Sequence, residues 1–575
     1  MRNIITFLKF LNPIYWKQFI LFFVLTLFNI FFETFSIAMI IPLVDILFFE
    51  GSKIGYEKVQ FLIYNLKKIE FISYENLVLI FIIGAFLLKN LYTVFYQIWQ
   101  SIFILRIEKY LASELFKSYL NRNMNFFSSE HSGTIYRNMT NEIKNVTKSL
   151  SSFFTLLIEI FLVFTIAIFL FYLYPKITLF TSLILGTLGF IILYFGYGKI
   201  RSLSEKRARI DKRYNKNLLD AINSIKDIKL HNKGNFFLKI HDVLKNKYFF
   251  NLKSFSIINA FPRPVLEFFF IALVVAYLFY SININKNISE ALSIISIFAV
   301  ALLRLLPAVS KILISVQSLK FRYISFKILQ NELTEKSKIF EEKIVKNDIE
   351  NSKSKSFVFN ESIIFKNVSF SHQKKKILNN LNFKVNKGDF FLIFGESGSG
   401  KTSVLNLLMG LTKPDEGEIL VDNKSLNKNI FSWRKIVSFV PQDIHLLDQN
   451  IKHNIAFGME ESEIDHSKVK EAMKLAKIED LMHENSLENF ELGEKGSKIS
   501  GGQIQRIGVA RALYRNPKVI LMDESTNGLD YDTEKRFLND LIKIKKDTTI
   551  IFVSHREHIK KYADNILEVK KFYNN

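Results

Sequence analysis

Cysteine is absent from the 575 residues, which excludes disulfides and thiolate metal sites and leaves the compartment otherwise open. Negative charge is scarce: 54 Asp and Glu stand against 77 Lys and Arg, a formal net charge of +23. That balance suits either a nucleic-acid binder or a polytopic membrane protein with basic cytoplasmic loops. The N-terminus, MRNIITFLKFLNPIYWKQ, lacks a small-residue cleavage site behind a short apolar core. No removable signal peptide is expected there; the segment reads as an amphipathic elbow on a membrane surface. What the chain has in excess is apolar side chain, 49% hydrophobic with 58 Phe, too much for an ordinary soluble protein.

About twenty apolar residues cross a bilayer. Six segments qualify, roughly 17–49, 77–105, 149–174, 177–198, 255–282 and 289–318. The connections 106–148 and 199–254 hold 22 Lys and Arg, against six in the other three. This asymmetry places both long loops, both termini and the C-terminal half in the cytoplasm. It also accounts for most of the positive charge, so nucleic acid is not needed as a partner. Helical periodicity in LASELFKSYLNRNMNFF and YNKNLLDAINSIKDIKL makes the long loops cytoplasmic extensions of the spanning helices. The expected organisation is a membrane α-helical domain over 1–320, a polar linker over 321–355, and a soluble domain over 356–575.

Within the soluble domain, DFFLIFGESGSGKTSVLNLLMG reads as strand, glycine-rich turn and helix. Gly395, Gly400, Lys401 and Thr402 satisfy the G-x-x-x-x-G-K-[ST] phosphate loop, with Glu396, Ser397, Gly398 and Ser399 inside it and Ser403 just beyond. Glycines let backbone N–H groups approach phosphate, and the helix start adds its positive dipole end. Lys401 supplies a cation for the β and γ phosphates of ATP, and the Thr402 hydroxyl can ligate Mg²⁺. Downstream, PKVILMDEST is an apolar strand ending in two carboxylates. Asp523 would hold the metal, and Glu524 would polarise the attacking water as general base. The competing reading of that pair, a strand ending at a solvated acidic turn, is disfavoured by the phosphate loop.

Between these motifs, KISGGQIQRIGVARAL carries Ser500, Gly501, Gly502 and Gln503, which resemble the signature of ABC ATPases, with Ile499 where Leu is usual. The resemblance implies that the signature of one subunit covers ATP held by the phosphate loop of another, and hence a homodimer. It further implies that Gln442 in SFVPQD reports on the site and joins Thr402 and Asp523 at the metal. By the same resemblance Asp530 in TNGLD lies in a dimer-facing loop, and His555 in IIFVSHR contacts the γ phosphate. His372 stands where the family stacks adenine on an aromatic, which leaves base selectivity less secure than phosphate binding. FELGEKGSKISGGQ, with Glu491, and NFFSSEHSGTIYRNMTNEI resemble the exporter segments that meet the membrane loops and couple the two halves. The chain is thus similar to an ABC exporter half-transporter: six transmembrane helices followed by an α/β P-loop nucleotide-binding domain.

The cargo is read from cations in apolar surroundings. Arg304, Lys311 and Ser315 share a helix face in IISIFAVALLRLLPAVSKILISV, and Lys89 and Arg263 lie in two other spans. Intramembrane charge is costly and usually faces a cavity or a partner. One expectation is a basic cavity taking an anionic group such as pyrophosphate. The other is structural pairing: Arg263 with Glu267 at i,i+4, and Glu33 or Glu159 with the rest. Residues 50–76, with Val59, Leu62, Ile63 and Leu66 at helical spacing, fit either an amphipathic helix touching lipid at the outer interface or a small cap over the spans. Together these features resemble the lipid-linked oligosaccharide flippases of bacterial protein N-glycosylation. That resemblance implies an inner-membrane location and a polyprenyl-pyrophosphate-linked glycan passed to the periplasmic leaflet. Export of another amphiphile (lipid A, phospholipid, peptide or drug) or an ATP-gated channel remain alternatives.

Overall fold

The computed structural model describes residues 2–38, 74–283, 288–334, 358–372, 375–478, 492–493, 496–526, 531–545 and 547–570. Contacts divide the chain into one unit of Met1–Leu120 with Phe127–Ser337 and another of Asn121–Phe126 with Lys338–Asn575. The expected outer segment 50–76 falls mostly outside the described residues, as do Glu491 and Asp530.

The first unit is helical: α1 (Arg2–Ala38), α2 (Tyr74–Leu120), α3 (Ile143–Leu173), α4 (Pro175–Asn223), α5 (Gly234–Ala260), α6 (Pro262–Asn283), α7 (Ile288–Phe321) and α8 (Tyr323–Thr334). Six helical stretches among the described residues are long and apolar enough to cross a membrane. Helices α2 and α4 run 47 and 49 residues. At 1.5 Å per residue each reaches about 70 Å, more than twice the hydrocarbon thickness. Apolar residues specify the spanning part; past it the same helices continue as charged rods, as the periodicity predicts. Between α3 and α4 the chain turns at Tyr174, and Pro175 opens α4, where its missing N–H costs nothing. Leu162, Ile166 and Leu170 of α3 recur every four residues and pack on Phe298, Ala301 and Ala308 of α7. Outward-facing Phe164, Phe195 and Leu303 stay exposed, as a hydrocarbon-facing surface requires.

The helical unit does not end at 320. Helix α8 buries Phe326 and Leu329, and Ser325 accepts a 2.7 Å hydrogen bond from Arg207 of α4. Residues 323–334 therefore belong to the membrane unit rather than to a linker; their apolar face, not their charge, decides it.

The second unit contains two sheets. A parallel sheet has the order β6-β7-β8-β3-β9, from β3 (Phe390–Phe394), β6 (Val437–Val440), β7 (Val519–Asp523), β8 (Thr549–Ser554) and β9 (Asn565–Glu568). An antiparallel sheet has the order β2-β1-β4-β5, from β1 (Ser362–His372), β2 (Lys375–Asn386), β4 (Glu416–Val421) and β5 (Lys424–Ser425). VILMD and TIIFVS are buried throughout, the continuous apolar run that a parallel strand covered on both faces demands. Side chains alternate accordingly. Phe390 and Leu392 enter one core, with Val440, Ile507 and Leu538; Phe391 and Ile393 enter the other, with Val404, Trp433 and Ile419.

Candidate functional site

Parallel strands all deliver their C-terminal loops to one edge of the sheet, where open α/β sheets bind ligands. Strand β3 ends at Phe394 and leads into Gly395; its neighbour β8 leads into His555; the next, β7, ends at Asp523 and Glu524; and β6 leads into Gln442. Four separate motifs therefore meet because their strands are neighbours. The register pairs Asp523 with Val553, which brings the two loops level.

Helix α9 (Lys401–Leu408) begins at Gly400, whose φ of 102° lies where a side chain would be strained. A side chain on Gly395 would collide with the Val569 carbonyl oxygen, so the loop is close-packed from behind. Lys401 is buried, and its Nζ donates to the carbonyls of Gly395 (2.8 Å) and Glu396 (2.9 Å). The same ammonium lies 3.8 Å from Glu524 Oε1.

Glu524 is the focus of the site. Its φ is +44°, a conformation that costs a non-glycine residue about 1–3 kcal/mol and collects at active sites. The Nε2 of Gln442 donates to its Oε2 at 3.3 Å, and Nδ1 of His555 lies 3.2 Å from its Oε1. Thr402 Oγ1 donates to Asp523 Oδ2 at 3.2 Å, so a hydroxyl in the first turn of α9 and the carboxylate that ends β7 sit side by side. Burial pushes the Asp523 carboxyl above its ordinary value of 3.8, opposed in part by the Thr402 hydrogen bond. A buried carboxylate beside an exposed hydroxyl fits Mg²⁺, a hard cation that takes its remaining ligands from water and phosphate. When bound, the ion neutralises charge developing on the phosphate oxygens.

Ser500 caps α10 (Gly501–Tyr514): its hydroxyl accepts from Gln503 N, and Gln503 Oε1 accepts from Ser500 N at 2.8 Å. Among the described residues these four make no hydrogen bond to the phosphate loop of their own chain. A side chain on Gly501 would meet open space. His372 ends β1 half-buried, opposite Lys375, while Phe370 points into the core.

Three of the four membrane cations, Arg304, Lys89 and Lys311, meet carboxylates, as the pairing expectation has it for Glu33 and Glu159. Arg304 makes a bidentate pair with Glu33 of α1, Nε to Oε2 at 2.6 Å and Nη2 to Oε1 at 2.8 Å. Lys89 of α2 lies 3.8 Å from the same carboxylate. Lys311 donates to Glu159 of α3 at 2.8 Å, and Arg304 is 4.0 Å from that second carboxylate. Three cations and two buried carboxylates thus form one network from four helices. Isolated charge in apolar surroundings is so costly that partners are recruited from across the bundle. Arg263 behaves in the opposite way. It is exposed, as is Glu267, and no ion pair joins them among the described residues. Ser315 is buried in α7.

Residues missed by motif reading flank His555. Arg556 and His558 both bond to Glu534, and the available signal was a carboxylate on the apolar face of an amphipathic helix.

A six-span helical unit joined to a P-loop unit that carries a separate signature turn is the architecture of half an ABC exporter. Residues 19–306, half of the chain, match the ABC transporter transmembrane region, and residues 378–527 match the ABC transporter family model. The chain belongs to the ABC transporter family. A protein of Rickettsia typhi named for export ATP-binding and permease activity is 38% identical over 217 residues, covering 36% of this chain and 37% of that one. The leukotoxin translocation ATP-binding protein of Mannheimia glucosida is 38% identical over 213 residues, covering 36% of this chain and 30% of that one. These matches span 37% and 30% of the relatives' length, so they carry no cargo across. A bacterial Atm1-family ABC exporter solved with ATP bound has the same fold, with a TM-score of 0.74 at 18% identity over 98% of this chain and 95% of that one.

Proposed function

We propose that the chain is one half of an ATP-driven exporter and works as a homodimer with two composite ATP sites. The observation that carries this reading is the meeting of the phosphate loop, Asp523, Glu524, Gln442 and His555 at one sheet edge. Lys401 withdraws from its own loop carbonyls to hold the β and γ phosphates, with Thr402 and Asp523 toward the metal. Glu524 takes the proton of the attacking water; Gln442 and His555, one on each carboxylate oxygen, hold that base in place. The Ser500–Gln503 turn closes over ATP bound by the partner copy. Closure opens the membrane unit outward, and hydrolysis resets it. The ATP-binding unit lies in the bacterial cytoplasm beneath the inner membrane, a reading supported by the Lys and Arg excess of the two long loops.

Flipping of a polyprenyl-pyrophosphate-linked oligosaccharide is the finer reading. Its support is the sequence resemblance, exposed Arg263, and the single excess positive charge of a network with three cations and two carboxylates. Near-neutrality of that network favours a second reading, a peptide or other amphiphile with little net charge, in keeping with the translocation function named for the Mannheimia relative.

The test is ATP-dependent accumulation in sealed vesicles of labelled lipid-linked sugar, phospholipid or peptide, with Glu524→Gln as control. Uptake of the sugar lipid alone supports the flippase. Peptide uptake supports the second reading, and ion conductance without turnover would mean a channel instead.

A further inference from the structure

Helix α11 (Tyr531–Ile544) buries Glu534, Phe537, Leu538 and Leu541, spaced i, i+3, i+4 and i+7. Three of these belong in a core; the fourth is a carboxylate only 1% exposed. Charge in such a place persists when its partners compensate the loss of water. Oε2 of Glu534 accepts from Arg556 Nη1 at 2.8 Å and lies 2.9 Å from His558 Nε2. Its Oε1 has no hydrogen-bond partner among the described residues. The backbone N of Arg556 donates to Ser554 Oγ at 3.0 Å, and the Tyr531 ring meets His558 edge-on at 5.5 Å. Both partners of Glu534 thus lie within three residues of His555, the imidazole that faces Glu524.

We propose that Glu534 is a positioning residue for ATP hydrolysis, a role that rests on the exporter reading above. His555 stands just past the end of β8, where no ladder bond fixes the chain. Gripping the first and third residues after it clamps that segment onto α11 and sets the reach of the imidazole toward Glu524 and the γ phosphate. Glu534 itself touches neither. A small displacement of such a group reduces turnover without weakening the bulk of nucleotide binding.

The experiment uses the full-length protein in lipid nanodiscs, measuring ATPase kcat and KM together with thermal midpoints. Glu534→Gln keeps the shape and removes the charge; Glu534→Asp tests rescue. His558→Leu removes one contact while leaving the buried carboxylate paired with Arg556. The expected result is a kcat loss of about tenfold or more for Glu534→Gln with KM within about twofold, partial recovery in Glu534→Asp, and about a threefold loss for His558→Leu. Parental kcat in Glu534→Gln, or a loss that follows the thermal midpoint across all three variants, overturns the proposal. Should Glu534→Gln fail to accumulate, His558→Leu decides, since parental kcat there also overturns it. If the parent itself shows no hydrolysis sensitive to Glu524→Gln, the exporter reading falls and this inference with it. Parental hydrolysis with indifferent variants removes this inference alone.

Discussion

Two charged clusters, one in each unit, obey opposite rules. At the sheet edge, Glu524 sits in a left-handed conformation, touched by Gln442 and His555 and near Lys401, ready to change partners when phosphate enters. Between the membrane helices, Glu33 and Glu159 are committed to Arg304, Lys89 and Lys311. A site near water can keep reactive charge loosely held; a site in hydrocarbon must satisfy its charge internally. Charged residues in an apolar run are therefore weaker evidence of a binding site than charged residues at strand ends.

The largest effect expected from this contrast is at Glu524. Glu524→Gln should lower ATP turnover by about 10²–10⁴-fold while ATP still binds. A variant hydrolysing at the parental rate would end the general-base assignment. Next comes the membrane network: Glu33→Gln strands Arg304 and should destabilise the protein by about 3–5 kcal/mol, seen as a fall in thermal midpoint in nanodiscs. Adding Arg304→Met should recover part of that loss, because it removes the cation held closest to Glu33 while Lys89 still lacks its carboxylate. If Glu33→Gln is silent for stability yet abolishes transport, the cluster is a cargo site after all. Gly395→Ala should cost about 1–3 kcal/mol through collision with the Val569 carbonyl and weaken ATP binding with it; unchanged affinity would mean the loop yields. The smallest change is at the base. His372→Tyr should improve ATP affinity by about threefold through added stacking area, and no change would move the adenine contact elsewhere.

The nucleotide site is legible in the sequence because its chemistry is local. A phosphate loop needs glycines, a lysine and a hydroxyl within eight positions, and the catalytic carboxylates need only come after an apolar strand. Its assembly is not local: Gln442, Glu524 and His555 converge through strand order, which no single motif contains. The helical spans are legible from length and apolarity. The limit of the membrane unit is not, because the burial of Phe326 and Leu329 follows only from the packing of α8 on its neighbours.

Arg304 marks the boundary of what one dimension can say. Its own helix offers no carboxylate near it, so along the sequence it looks uncompensated. Glu33 lies 271 residues away and becomes its partner only when α1 and α7 lie together. Composition, hydropathy and short motifs by themselves determined a membrane-spanning half and an ATP-binding half, because solvent preference and phosphate chemistry act on neighbouring residues. Which charges are neutralised and which stay available was decided by the tertiary structure alone, because electrostatic energy depends on distance through space.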